Sequence, residues 1–439
     1  MDHLTPTTDS GRKKIIVVGA GIGGLASAYY ASRRGHDATV LEASDRVGGR
    51  MITWCVDGDR VDAGAQFFHS NFKNIRQLID ELGLAGGKTP IRLSVQIARE
   101  DRPPVVTESV LGIVRSLGVA GILSLSWFFL RYVVFGRRFS LFTIDREIGE
   151  YDDCRASEKL EGIDRQVYES VMRPVSLGEC STVLAESNFR HFLNCFRLAA
   201  GTTHYTLPGG VAELTDALGK RLDVHCQQPV KSLITEKNRV VGVELESGER
   251  RYADHVILAT TLGSAAQIVP EEFGEIRTFL TSFPHVSNPM VFFFLDCRLN
   301  DDIACYMGPS HLDLKYSMVM DHANKAPSMV PSGNSILSAW SLYPMGSELI
   351  DRSDEELIEQ AISDLDHFVP IFKDNIKETR VLRHRWMVAR YSPGTHRRII
   401  EFKKRVESVE GLSIVSNDLE SVHMESAVTA ARRAVDSLG

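Results

Sequence analysis

Four β-branched residues, "IIVV" at 15–18, stand between two lysines and a cluster of glycines, and so short an unbroken apolar run predicts a buried strand. The pattern then turns helical over "LASAYYASRRG", closed by Gly35, and a second apolar run, "DATVLEAS", ends near Glu42. Strand, helix and strand in this order make a β-α-β unit. Residues 72–82, "FKNIRQLIDEL", place apolar side chains at helical spacing, with Gly83 just past the end. The stretch 95–200 reads as mostly helical, with few clear strands. At 204–222 the texture changes: "HYTLPGGVAELTDALGKRL" is a Pro-Gly-Gly turn leading into a helix. Three strand patterns follow, "VKSLIT", "RVVGVELE" and "RRYADHVILAT", punctuated at Lys237-Asn238 and Ser247-Gly248. "NPMVFFFLD" predicts another strand, and "SDEELIEQAISDLDHF" a helix with a Ser353–Glu356 capping box. The final piece, "GLSIVSNDLESVHMESAVTAARRAVDSL", reads as strand, loop, helix.

Strand–helix α/β pattern therefore appears at the start, in the middle and near the end of the chain. That predicts an α/β fold with α+β insertions: a Rossmann-like domain built from residues 12–93, 201–280 and 396–439, interleaved with a substrate domain from 94–200 and 281–395. Residues 1–11 are polar and predict a disordered lead-in.

Composition narrows the class. The 439 residues carry 43% hydrophobic and 24% charged side chains, ordinary for a globular protein, and a net charge of −7 that argues against nucleic-acid binding. Seven scattered cysteines with no C-x-x-C pair suggest a reducing, cytoplasmic setting and no metal site. One segment, 116–130 ("SLGVAGILSLSWFFL"), has no charge but is shorter than the ~18–20 residues of a spanning helix. It reads as a buried helix of the substrate domain; the other reading is a peripheral membrane-surface patch through which an apolar substrate enters.

The chemistry begins in the β-α-β unit. Gly19, Gly21 and Gly24 have the G-x-G-x-x-G spacing. The first glycine serves the tight turn, the second lets a pyrophosphate approach the backbone, and the third lets helix and strand pack closely. Glu42 falls where an acid grips a ribose hydroxyl, and its charge disfavours a 2′-phosphate. "DRVGGR" follows, with Gly48 and Gly49 between Arg46 and Arg50, then "VDAGAQFF" with Gly64, Ala65 and Gln66. Glycines that admit a backbone, arginines that neutralise phosphate and small residues that admit a flat group stand in the order a dinucleotide needs.

Taken together, "GAGIGGLASAYY", "LEASDRVGGR" and "DAGAQFF" resemble the flavin-containing amine oxidase superfamily, which includes protoporphyrinogen oxidases and phytoene-type desaturases. The resemblance implies noncovalent FAD. Gly19, Gly21 and Gly24 would face its pyrophosphate, Glu42 its adenosine ribose, and Arg46, Gly49 and Arg50 the phosphate and ribityl region. Gly64, Ala65 and Gln66 would lie beside the isoalloxazine, and Val230 would meet the adenine. Asp418 matches the family's C-terminal acid, and Met424 would open the last helix beneath the pyrimidine ring. Two departures stand out. Ser416-Asn417-Asp418 replaces the family's Ala-Gly-acid, and the chain has no lysine between Lys237 and Lys315, where many amine oxidases carry one near flavin N5. No cysteine follows Cys305 to make a C-terminal flavin link.

The expected activity is hydride transfer from a hydrophobic organic substrate, by C–C or C–N desaturation, to flavin N5, with O2 or another acceptor taking the electrons. A flavin amine oxidase giving an imine and hydrogen peroxide is the alternative, and a non-catalytic FAD-binding protein a third reading. Gln66, Trp386, Tyr391 and His423 are the candidates to line the substrate pocket.

Overall fold

The computed structural model describes residues 11–98, 103–108, 110–136, 139–144, 151–299, 302–370 and 372–438. The lead-in, Gly11 apart, lies outside them.

A five-stranded parallel sheet forms the base, in the spatial order Asp223–His225, Asp37–Leu41, Lys14–Val18, His255–Leu258, Leu412–Ile414. Its strands come from the start, middle and end of the chain, because the segments between them leave the sheet to build other layers. The order reverses at Lys14–Val18, and the crevice beyond the carboxyl ends of such strands is where α/β sheets bind ligands. The helix Ile22–Arg33 and the last helix, Met424–Asp436, cover one face through Leu25, Ala28, Val428 and Ala431.

The second sheet is mixed and seven-stranded: Ile376–Ala389, His285–Leu295, Ile336–Trp340, Met318–Asp321, Cys305–Met307, Val95–Ile97 and Val105–Thr107. The run "MVFFFL" is buried on both faces, since Val291, Phe293 and Leu295 pack beneath the helix Asp354–Leu365 while Met290, Phe292 and Phe294 meet Ile52 and Val61. The two short strands near 95–107 interrupt the region read as helical; three residues each, they hold too little alternation to announce themselves. Local turn chemistry follows the sequence. Lys237 and Asn238 both take positive φ between paired strands, and Ser353 and Glu356 form the capping box.

The segment 116–130 differs from the expected buried helix. Gly121, Leu125 and Phe128 of the helix Val119–Phe128 are buried, but Val119, Leu123 and Trp127 are exposed, as are Leu130 and Val134 in the π-helical continuation Phe129–Val134 and Phe135 at its end. Both faces are apolar, so sequence periodicity could not tell the core side from the outer side. No described helix is long and apolar enough to cross a membrane.

Candidate active site

A cavity of about 830 Å³ opens at the switch point of the parallel sheet and runs to the mixed sheet. Gly19, Gly21, Glu42, Gly49, Arg50, Gly64, Ala65, Gln66, Val230, His423 and Met424 all line it. These residues span most of the chain, and the fold brings them to one surface.

Each glycine of the first motif has its own reason. Gly19 turns at φ +100°, and a Cβ there would stand 2.8 Å from Ala259 O. At Gly24 a Cβ would be 1.9 Å from Gly19 O, so the third glycine is required by helix–strand packing. A Cβ on Gly21 would meet nothing within 4 Å and would project into the cavity. The absence of a side chain at Gly21 leaves the space a pyrophosphate needs. Gly21 is the N-cap of the helix Ile22–Arg33 and supplies no side-chain cap; His423 likewise gives none to Met424–Asp436. Both helices thus keep first-turn N–H groups available to an anionic or polar ligand at the cavity. Glu42 Oε2 accepts from Ala20 N at 2.7 Å, and Oε1 from Ser44 N at 2.9 Å, which fixes the carboxylate beside the glycine turn. Gln228 N donates to Glu42 O at 2.8 Å and carries the neighbouring Val230 to the same end. These features fit a dinucleotide.

Arg50 ties three segments together: it donates to Met387 O at 2.6 Å and to Asn417 Oδ1 at 2.7 Å, and its guanidinium lies 3.7 Å from Asp418. Burial alone would raise the Asp418 carboxyl, but the Arg50 charge and the His285 hydrogen bond outweigh it and hold it below the usual carboxylate range. Asp418 is fully buried and sits behind the loop; Ser416 and Asn417 form the cavity wall that the resemblance assigned to the acid. Arg46 also falls elsewhere. Its guanidinium turns back on its own loop, donating to Val47 O and Gly49 O, and is absent from the cavity wall.

The two aromatic candidates are not wall residues either. Tyr391 is fully buried, stacks on His191 at 4.3 Å and donates to Asp418 O at 2.9 Å, so it props the C-terminal loop from below. Trp386 packs over Gly263, where a Cβ would come within 2.4 Å of the indole. The third glycine of the first motif, Gly24, is also away from the wall, as its packing role requires.

At the other end of the cavity, Gln66 is fixed on both sides of its amide. Nε2 donates to Asp62 O and Gly64 O, while Oε1 accepts from Lys325 Nζ at 2.9 Å. Lys325 arrives from the short helix His322–Lys325 and is fully buried. Burial lowers its ammonium to about 8, with the Asp62 carboxylate acting in the opposite direction. Phe67, His69, Phe72, Glu179, Met290, Trp340 and His384 complete this end. Burial pushes Glu179 up to about 7 and holds His423 down at about 4. His69 falls to about 2, through burial first and then His423 and His204. Sequence reasoning missed Lys325, Glu179 and His69. A lysine or glutamate on a polar-looking stretch is exposed by default, and only the tertiary path buries Lys325 and turns the half-buried Glu179 into the cavity wall.

A family model described as flavin containing amine oxidoreductase matches residues 22–438. Coproporphyrinogen III oxidase of Mycobacterium bovis (strain ATCC BAA-935 / AF2122/97) is 25% identical over 96% of this chain and 96% of its own length. The L-amino-acid oxidase of Sistrurus catenatus edwardsii is 38% identical over only 78 residues, 18% of this chain and 15% of that protein. A crystal structure from Exiguobacterium sp. 255-15, provisionally assigned as a protoporphyrinogen oxidase, superposes with a TM-score of 0.76 at 20% identity, covering 97% of this chain and 98% of that one.

Proposed function

Because the chain belongs to the family of flavin-containing amine oxidoreductases, we propose that it holds FAD noncovalently in the cavity and oxidises a hydrophobic organic substrate at a C–C or C–N bond. The observation that carries this reading is the open cradle at Gly21, with cavity walls that run without a break from Glu42 to Gln66 and His423. When bound, the flavin accepts a hydride equivalent at N5. The protein's part is positioning. Glu42 and the uncapped first turn of Ile22–Arg33 hold the ribose and pyrophosphate. Gln66, locked by Lys325 and Asp62, keeps the Gly64–Ala65 backbone in place for a flat ring. The N–H groups that open the last helix favour negative charge on the reduced cofactor. Met290, Trp340, Phe67 and Phe72 supply an apolar, water-poor wall for the substrate.

Full-length similarity to a coproporphyrinogen III oxidase favours a porphyrinogen-like substrate over a small amine; the electron acceptor in this proposal is O2. The exposed apolar surface of 119–135 is proposed to rest against a lipid surface, from which such a substrate enters. The test is anaerobic mixing with porphyrinogens, polyenes and hydrophobic amines in turn. Bleaching of the flavin by a porphyrinogen or polyene, with recovery in air, supports the reading. Bleaching by amines alone would replace it with amine oxidation, and a flavin inert to all three classes would remove the catalytic assignment.

A further inference from the structure

We propose that His69, Glu179 and His423 form a binding site for a divalent transition-metal ion, opening onto the cavity. Each residue offers one ligand atom, and the three atoms lie within 4.8 Å of one another. They come from three distant parts of the chain, the strand Phe68–His69, the turn after the helix Arg173–Gly178 and the N-cap of the last helix, and all three line the cavity.

The hydrogen bonds around the cluster are those a metal-binding histidine needs. His69 Nδ1 lies 2.8 Å from Thr202 Oγ1, and the same hydroxyl donates to Leu198 O at 2.9 Å. A hydroxyl has one proton. With that proton on Leu198 O, Thr202 Oγ1 must accept from His69 Nδ1–H, and the His69 lone pair is left on Nε2. His423 Nδ1 lies 3.1 Å from Ser421 Oγ, a hydroxyl that can accept from Nδ1–H, and in that tautomer the His423 lone pair is on Nε2. An outer hydrogen bond that fixes ring orientation and tautomer is the usual support of a ligating imidazole. The half-buried Glu179 carboxylate makes no hydrogen bond or ion pair among the described residues.

Two neutral imidazoles and one carboxylate suit Zn2+ or Fe2+, and a three-ligand set with positions left open is the pattern of a reactive site, not a closed structural one. Bonds of about 2.1 Å put tetrahedral ligand atoms about 3.4 Å apart, so the unrestrained Glu179 arm has to swing in by about 1 Å. The open positions would face the cavity, where a substrate oxygen or nitrogen could complete the coordination. Only this last point rests on the flavin reading.

The test uses the purified flavin-bound protein, stripped with chelator, desalted and dialysed against ZnCl2. Zinc is measured by mass spectrometry, and flavin content by absorbance on the same sample. Wild type should hold one zinc per chain. Glu179→Gln, which keeps the volume, and His423→Gln should each weaken binding at least tenfold. Cu2+ as a second probe should give an electron paramagnetic resonance signal split by two nitrogens. Flavin occupancy separates the two proposals, because zinc uptake with no flavin would refute only the cofactor reading. No zinc bound by wild type, or unchanged zinc in both variants, overturns the site. So does zinc that is lost on Cys195→Ala and kept in Glu179→Gln, since it would then sit on the neighbouring Cys180, His191 and Cys195.

Discussion

Alanine at Gly21 and alanine at Gly24 should fail in opposite ways, although the two lie three residues apart. Gly21 has φ −69° and ψ 174°, a conformation open to any residue, and its added Cβ would touch no protein atom within 4 Å. Loss of a favoured N-cap residue and the reduced entropy of the unfolded chain are of similar size, so folding should change by no more than about 0.5 kcal/mol. The methyl group would occupy the cradle. Displacing one charge-assisted hydrogen bond to the pyrophosphate costs about 1.5–3 kcal/mol, or a loss of affinity of about 10- to 150-fold. At Gly24 the added Cβ would lie 1.9 Å from Gly19 O and 3.2 Å from the Ala259 Cβ. Gly19 belongs to the glycine turn and Ala259 follows the neighbouring strand His255–Leu258, so neither moves freely; the carbonyl must retreat by about 1 Å or more to reach contact distance, at a cost of about 3 kcal/mol or more. The assays are thermal melting of the flavin-free protein and fluorescence titration with FAD. Gly21→Ala should melt like wild type and bind FAD poorly; Gly24→Ala should melt several degrees lower before any cofactor is added. Wild-type FAD affinity in Gly21→Ala would show that the cradle holds no pyrophosphate, and an unchanged melt in Gly24→Ala would refute the packing argument.

Met424 is the first residue of the last helix, where proline is tolerated, so Met424→Pro should fold while losing one N–H at the cavity. The flavin reduction potential should then drop by about 10–20 mV, against no change in Met424→Leu; equal potentials in the two would place the helix end away from the ring. Asp418 is held below the usual carboxylate range, so the stability it contributes is full above about pH 4, the unfolded value, and is lost as pH falls through the native value. Asp418→Asn should therefore flatten the acid limb of a plot of melting temperature against pH, and an unaltered limb would count against the Arg50–Asp418–His285 arrangement. Leu123→Ser, Trp127→Ser and Phe135→Ser, all at exposed positions, should together release the protein from sedimenting liposomes without lowering its melting temperature. A wild type that stays in the supernatant would end the membrane proposal.

The sequence by itself determined the parts of this protein that depend on short-range backbone geometry. The glycine spacing after 15–18, the acid at Glu42 and the small residues at 64–66 marked the backbone cradle that lines the cavity, because tight turns and close approaches restrict residue type within a few positions. The discontinuous α/β fold was legible for the same reason: each strand and helix carried its own period and its own turns. The tertiary structure decided what depends on which surfaces meet. Asp418, Tyr391 and Trp386 share the motif neighbourhood yet sit behind the cavity wall, since side-chain direction follows the path of the loop and not residue type. Lys325 and Glu179 reach the cavity from segments with no motif at all. Burial of a charge is favoured only by partners brought from far along the chain, here Gln66 and Asp62 for Lys325, and no local pattern records them. The 116–130 segment shows the same limit from the apolar side. Its composition is uniform around the helix, so which face became core and which was left outside was decided by the elements packed beneath it.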